Sequence, residues 1–71
     1  MARLSAKQKF GKNVRIFRKQ KNWTQEKLGE YTGLDRTYIS DIERGIRNPS
    51  LKSLEKIAKA LKVKVSELTD F

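Results

Sequence analysis

A chain of 71 residues supports one domain with one small hydrophobic core, close to the size at which a lone core is only marginally stabilising. It has no cysteine and no histidine, which removes disulfides, thiolate sites, the commonest metal ligand and the commonest general base, and fits a reducing cytoplasm. Its 17 Lys and Arg against 8 Asp and Glu leave a formal net charge of +9, pointing to a polyanionic partner, and no apolar run approaches the roughly 20 residues of a membrane span.

The predicted elements are five helices, with nothing that resembles a strand. Residues 1–6 read as a short flexible arm, and because no apolar stretch follows its basic residues it is not a secretion signal. The first helix is expected over residues 7–21, where Phe10, Val14 and Phe17 at i, i+4, i+7 make one apolar stripe. Arg3, Lys7, Lys9, Lys12, Arg15, Arg18, Lys19 and Lys21 all precede the first acid of the chain, so the positive charge is concentrated at this end. Asn22 stands where a left-handed C-cap residue is expected.

Thr24 should cap the second helix, which runs to about Tyr31, with Trp23 stapled onto Leu28. Gly29 is unfavourable inside a helix and is expected where another helix backbone crosses closely. Gly33 supplies the positive φ of a sharp turn, and Asp35 then caps a third helix that ends at Gly45, with Leu34 and Ile39 repeating the staple. Ile39 and Ile42 face inward there, leaving Arg36, Thr37, Ser40, Asp41 and Arg44 outward. Pro49 and Ser50 open a fourth helix with the stripe Leu51, Leu54, Ile57, Ala58, Leu61, and Ser66 is expected to cap a last short helix reaching Phe71.

Residues 24–45, TQEKLGEYTGLDRTYISDIERG, thus form two short helices about a tight turn, the second carrying side chains able to bond bases and phosphates. Such a helix-turn-helix docks in a DNA major groove. Arg36 is the leading base-reading residue, since its guanidinium matches guanine O6 and N7. Thr37 offers a hydroxyl and a methyl beside it, and Ser40 and Asp41 lie one turn on. Asp41 has two readings, acceptor from a cytosine amino group or solvent-facing acid, because a carboxylate near phosphates is unfavourable. Tyr38 also has two, a phenol reaching DNA or a ring packed on the helix. Gln25, in the first turn of the second helix, suits a phosphate, and Arg44, Arg47 and Asn48 surround the following loop as a backbone clamp. The lysines of the first helix read as a solvated face.

Residues 10–71 resemble the phage-repressor-like helix-turn-helix family of the lambda and 434 repressors and Cro (XRE type). The resemblance rests on Thr24-Gln25-Glu26-x-Leu28, Gly29 and Gly33, on Ile39, Ile42 and Glu43-Arg44-Gly45, and on Pro49-Ser50-Leu51 followed by Leu54, Ile57-Ala58 and Ala60-Leu61. Within that family, Leu34-Asp35-Arg36-Thr37-Tyr38-Ile39-Ser40, Ile42-Glu43-Arg44 and Arg47-Asn48 are similar to the small controller proteins of restriction-modification systems. The resemblance implies an all-α, compact five-helix domain and a homodimeric transcription regulator on a palindromic operator of its own operon. That regulator would activate at low occupancy and repress when a second dimer fills an adjacent site. It also implies no cofactor, a cytoplasmic, nucleoid-associated location, and RNA polymerase as a further partner. For single residues it implies a partly buried salt bridge between Arg18 and Glu43, and it tips Tyr38 towards the DNA backbone. Leu61, Val63, Val65, Leu68 and Phe71 either close the domain's own core or, as dimerisation in the family implies, meet a second copy through a region of about residues 58–71.

Three other function classes compete. A protein-interaction module, such as an antitoxin masking a partner, would need a dedicated surface, and no spare apolar segment or tail is evident. Sequence-insensitive nucleic-acid binding would need a stacking platform, and none is evident, since the aromatic residues read mostly as core. An enzyme reading finds little support: the sequence has no histidine, no cysteine, no phosphate-cradling glycine loop and no clustered carboxylates for a metal.

Overall fold

Ser5, Thr24, Asp35 and Ser50 each place a side-chain oxygen on a backbone N–H two or three residues ahead, and these contacts set where four helices begin. The structure, a computed structural model, describes residues 4–69. The helices are α1 (Ala6–Gln20), α2 (Gln25–Thr32), α3 (Arg36–Glu43), α4 (Leu51–Leu61) and α5 (Val65–Thr69), with no strand among the described residues. None is long and apolar enough to cross a membrane.

Two boundaries differ from expectation. Ser5 and Gln8 form a reciprocal capping box, so Ser5 and Ala6 belong to the start of α1 instead of to a flexible arm; residues 1–3 lie outside the described residues. At the other end the Glu67 carboxylate accepts the Lys64 N–H at 3.0 Å and α5 starts at Val65, so Ser66 sits inside the helix and does not cap it.

Every helix contributes to one core of Phe10, Val14, Leu28, Ile39, Ile42, Ile57, Ala58, Leu61 and Leu68. Burying each large aliphatic side chain stabilises the fold by about 1.5–3 kcal/mol. On α1 the inward stripe runs Phe10, Val14, Arg18, with a guanidinium in the third place and Phe17 only half-buried beside it. Leu51, expected at the head of the α4 stripe, is 70% exposed, whereas Ser53 in the same turn is buried.

The turn between α2 and α3 is fastened by its own residues. Gly33 takes φ +74° and donates its N–H to Gly29, while the Thr32 hydroxyl donates to the Leu28 carbonyl at 2.8 Å and accepts the Leu34 N–H at 3.2 Å. Gly29 faces this turn, not a crossing helix: a Cβ there would lie 2.9 Å from the Leu34 carbonyl oxygen. The glycine that does admit another helix backbone is Gly11, where a Cβ would land on the Ile42 carbonyl oxygen at the end of α3. α3 is therefore seated directly on α1.

Candidate nucleic-acid interface

Ile39 and Ile42 are fully buried, and their anchoring leaves the opposite side of α3 free. Arg36, Thr37 and Arg44 are exposed there and Ser40 and Asp41 half-exposed, so the five side chains expected to face outward form one row. The Asp35 carboxylate accepts the Thr37 N–H at 2.7 Å and fixes the start of that row.

The far end of the row is held from inside. Arg18 donates from Nε to Glu43 Oε2 at 2.7 Å, from Nη2 to Glu43 Oε1 at 2.9 Å, and from Nη1 to the Trp23 carbonyl at 2.6 Å. The two side chains retain only 9% and 3% of their exposure. The bond to Glu43 raises the Arg18 pKa above its ordinary value, with burial opposing it. Gln25 adds a hydrogen bond from its amide to Glu43 Oε1 at 3.2 Å. One network thus joins α1, the start of α2 and the end of α3, and Gln25 reaches the surface already oriented, with a second amide hydrogen left over.

Above this network lies a groove of about 430 Å³ lined by Arg15, Lys19, Gln25, Ser40 and Arg44. The sequence reading puts Lys19 on a solvated face with the other lysines of this helix and gives Arg15 no role of its own. Their i, i+4 spacing, flanking the inward Arg18, is the signal that would have placed them here.

Asp41 is drawn to arginine: its carboxylate lies 3.8 Å from Arg44 and 3.9 Å from Arg47. Such exposed pairs contribute little stability, but they offset the repulsion a lone carboxylate would exert on a phosphate. The Tyr38 side chain is engaged within the fold. Its ring is half-buried against the core, its oxygen accepts the Ser50 N–H at 3.2 Å, and the Arg47 guanidinium lies 5.1 Å above the ring. Burial pushes the phenol pKa up, but hydrogen bonds with Ser53 and Ser50 and the Arg47 charge outweigh it and leave the pKa below its usual value. The Tyr38 oxygen thus accepts at the start of α4 and keeps its O–H as a donor, with Arg47 and Asn48 exposed beside it.

The apolar residues expected at a subunit contact are divided. Leu61 and Leu68 are committed to this domain's own core, which removes them from any surface. Val63 and Val65 are half-buried, and Phe71 lies outside the described residues. The exposed large apolar residues near this end are Ile46 and Leu51, next to a shallow groove bounded by Phe10, Pro49, Leu54 and Thr69.

Residues 14–68 match a family described as helix-turn-helix. The control protein C.BamHI of Bacillus amyloliquefaciens is 57% identical over 63 residues, covering 87% of this chain and 78% of the relative. The crystal structure of the restriction-modification controller C.AhdI from Aeromonas hydrophila superposes with a TM-score of 0.85 at 44% identity, covering 87% of this chain and 94% of that one. The crystal structure of SinR, a master regulator for biofilm formation, in complex with DNA gives a TM-score of 0.82 at 37% identity, covering 86% of this chain and 98% of that one.

Proposed function

The chain belongs to the helix-turn-helix family of DNA-binding transcriptional regulators, and from that premise we infer that it controls a restriction-modification operon as a homodimer on a palindromic site. The observation that carries the reading is the outward row of α3, anchored at one end by Asp35 and at the other by the buried Arg18–Glu43 pair. Eight residues of helix span about 12 Å, comparable with the width of the major groove. Arg36 and Thr37 at its start read base edges, Arg36 by a bidentate bond to guanine that discriminates by about 1–3 kcal/mol. Ser40 reads the next turn, while Asp41 chiefly orients Arg44 and Arg47. Gln25, Arg15, Lys19, Arg44, Arg47 and Asn48 hold phosphates on either side and set the register without reading sequence.

A second copy covers the face carrying Ile46, Leu51 and Leu54, with Val65 at its margin. The recognition helices of the pair then enter grooves one helical turn apart, about 34 Å. Two such dimers on adjacent sites, and contact with RNA polymerase, would let occupancy switch the promoter from activation to repression. The likeness to C.BamHI and C.AhdI supports the controller role, and the SinR complex supports the docking mode.

The test is binding to the duplex upstream of the chain's own coding region and to a scrambled duplex, across salt. A wide affinity gap that persists at moderate salt, with two chains per site, is expected. Equal affinities that collapse together would leave only charge-driven binding and overturn the reading.

A further inference from the structure

Away from α3, Trp23 and Tyr31 form a stacked pair with ring centroids 4.5 Å apart and planes 14° from parallel. Lys21 Nζ lies 5.3 Å over the Trp23 ring and Lys27 Nζ 5.4 Å over the Tyr31 ring. Tyr31 is 59% exposed, so this aromatic lies outside the core. The pair walls a cleft of about 520 Å³ whose opposite side is Lys56, Lys59 and Lys62 from the C-terminal half of α4 and its cap. No carboxylate lines the cleft, and among the described residues Lys21, Lys56, Lys59 and Lys62 form no ion pair. Like charges gathered round apolar ring edges are mutually unfavourable until an anion enters.

The cleft is separate from the DNA-facing groove. The two share no lining residue, although Trp23 in the cleft accepts a hydrogen bond from Arg18, which lines the groove. Nucleic acid is a poor occupant: one face of each ring is taken by the other ring and an ammonium sits over each, so bases lack a platform. The volume falls within the range of ligand-sized sites, roughly 300–1,000 Å³.

We propose that this cleft docks an acidic segment of a partner protein. Its carboxylates pair with Lys56, Lys59, Lys62 and Lys21, and an apolar side chain rests against the edges of Trp23 and Tyr31. Because the DNA-facing row lies elsewhere, one chain can hold DNA and this partner together.

Trp23 is the only tryptophan of the chain, so its fluorescence reports on the cleft. The probe is a short capped peptide rich in glutamate with a central phenylalanine, titrated into the 71-residue chain. Saturable perturbation of Trp23 is expected, weakened about tenfold in Lys56→Gln/Lys59→Gln through loss of two ion pairs. The equally charged Lys7→Gln/Lys12→Gln variant, outside the cleft, should bind the peptide as wild type does. Both variants, checked for helicity by circular dichroism, should bind a random-sequence duplex alike. The proposal fails if the peptide leaves Trp23 unchanged, if both variants lose it equally, or if the glutamine counterpart of the peptide binds as well. A selective loss of duplex binding in the cleft variant would make this a nucleic-acid site and also overturn it.

Discussion

Arg18 and Glu43 meet through two parallel hydrogen bonds at 2.7 and 2.9 Å, a bidentate pair lying beneath the C-terminal end of α3. Glu43→Ala would leave the guanidinium buried with only the Trp23 carbonyl as partner. We expect a loss of about 3–5 kcal/mol, read from urea unfolding. Arg18→Met/Glu43→Leu, which removes both charges, should unfold at higher urea than Glu43→Ala. If the double variant were the less stable, the pair would stabilise the fold by itself, contrary to this account.

Gly11→Ala sets helix propensity against packing. Alanine is the better helix former by about 1 kcal/mol, so propensity alone predicts stabilisation. The Cβ would strike the Ile42 carbonyl oxygen, a backbone atom that can yield only if α3 moves off α1. Net destabilisation of about 1–3 kcal/mol is expected, with weaker DNA binding because the recognition helix tilts. A more stable Gly11→Ala protein would show that the two helices separate freely.

Leu51→Asp should weaken self-association and operator binding together while leaving helicity intact, because Leu51 is solvent-facing in the single chain. Leu68→Asp, by contrast, should unfold the domain, because Leu68 is fully buried. Sedimentation and circular dichroism separate the two. Unaltered dimerisation of Leu51→Asp would exclude this face as the contact.

Tyr38 gives the chain a stability term at alkaline pH. The folded state holds the phenolate better than the unfolded chain does, so the native phenol releases its proton first. The contribution is complete above the unfolded value of about 10 and fades as pH falls through the lower folded value. The stability difference between wild type and Tyr38→Phe should therefore widen as pH rises from about 9 to about 11. Urea unfolding across that range measures it, and a difference that narrows would reverse the assigned shift.

Local signals made most of the helix boundaries and the outward row of α3 legible. Thr24, Asp35 and Ser50 cap as their residue types suggest, and Ile39 and Ile42 fix the inward side of α3, which determines by subtraction what faces out. Contacts between elements were harder to read. A glycine inside a helix announces a close approach but not its partner, so the crossing was assigned to Gly29 when it belongs to Gly11. The apolar period on α4 holds through Leu61, yet which of its residues sit over the core depends on where α5 lands. Leu51 on α4 is exposed, while Leu61 on α4 and Leu68 on α5 are consumed by the core. The Trp23–Tyr31 stack joins the α1–α2 connection to the end of α2, eight positions apart, and no periodicity marks it.

The most direct test of the account is base discrimination by Arg36→Ala, measured as the affinity ratio between the operator duplex and the same duplex with its guanine contacts replaced. Arg36 is exposed at the start of α3 and makes no contact that the fold needs. The variant should stay folded, bind scrambled DNA nearly as wild type does, and lose about 1–3 kcal/mol of discrimination at that position. A folded variant with the wild-type ratio would contradict the central claim that the outward row of α3 reads the bases.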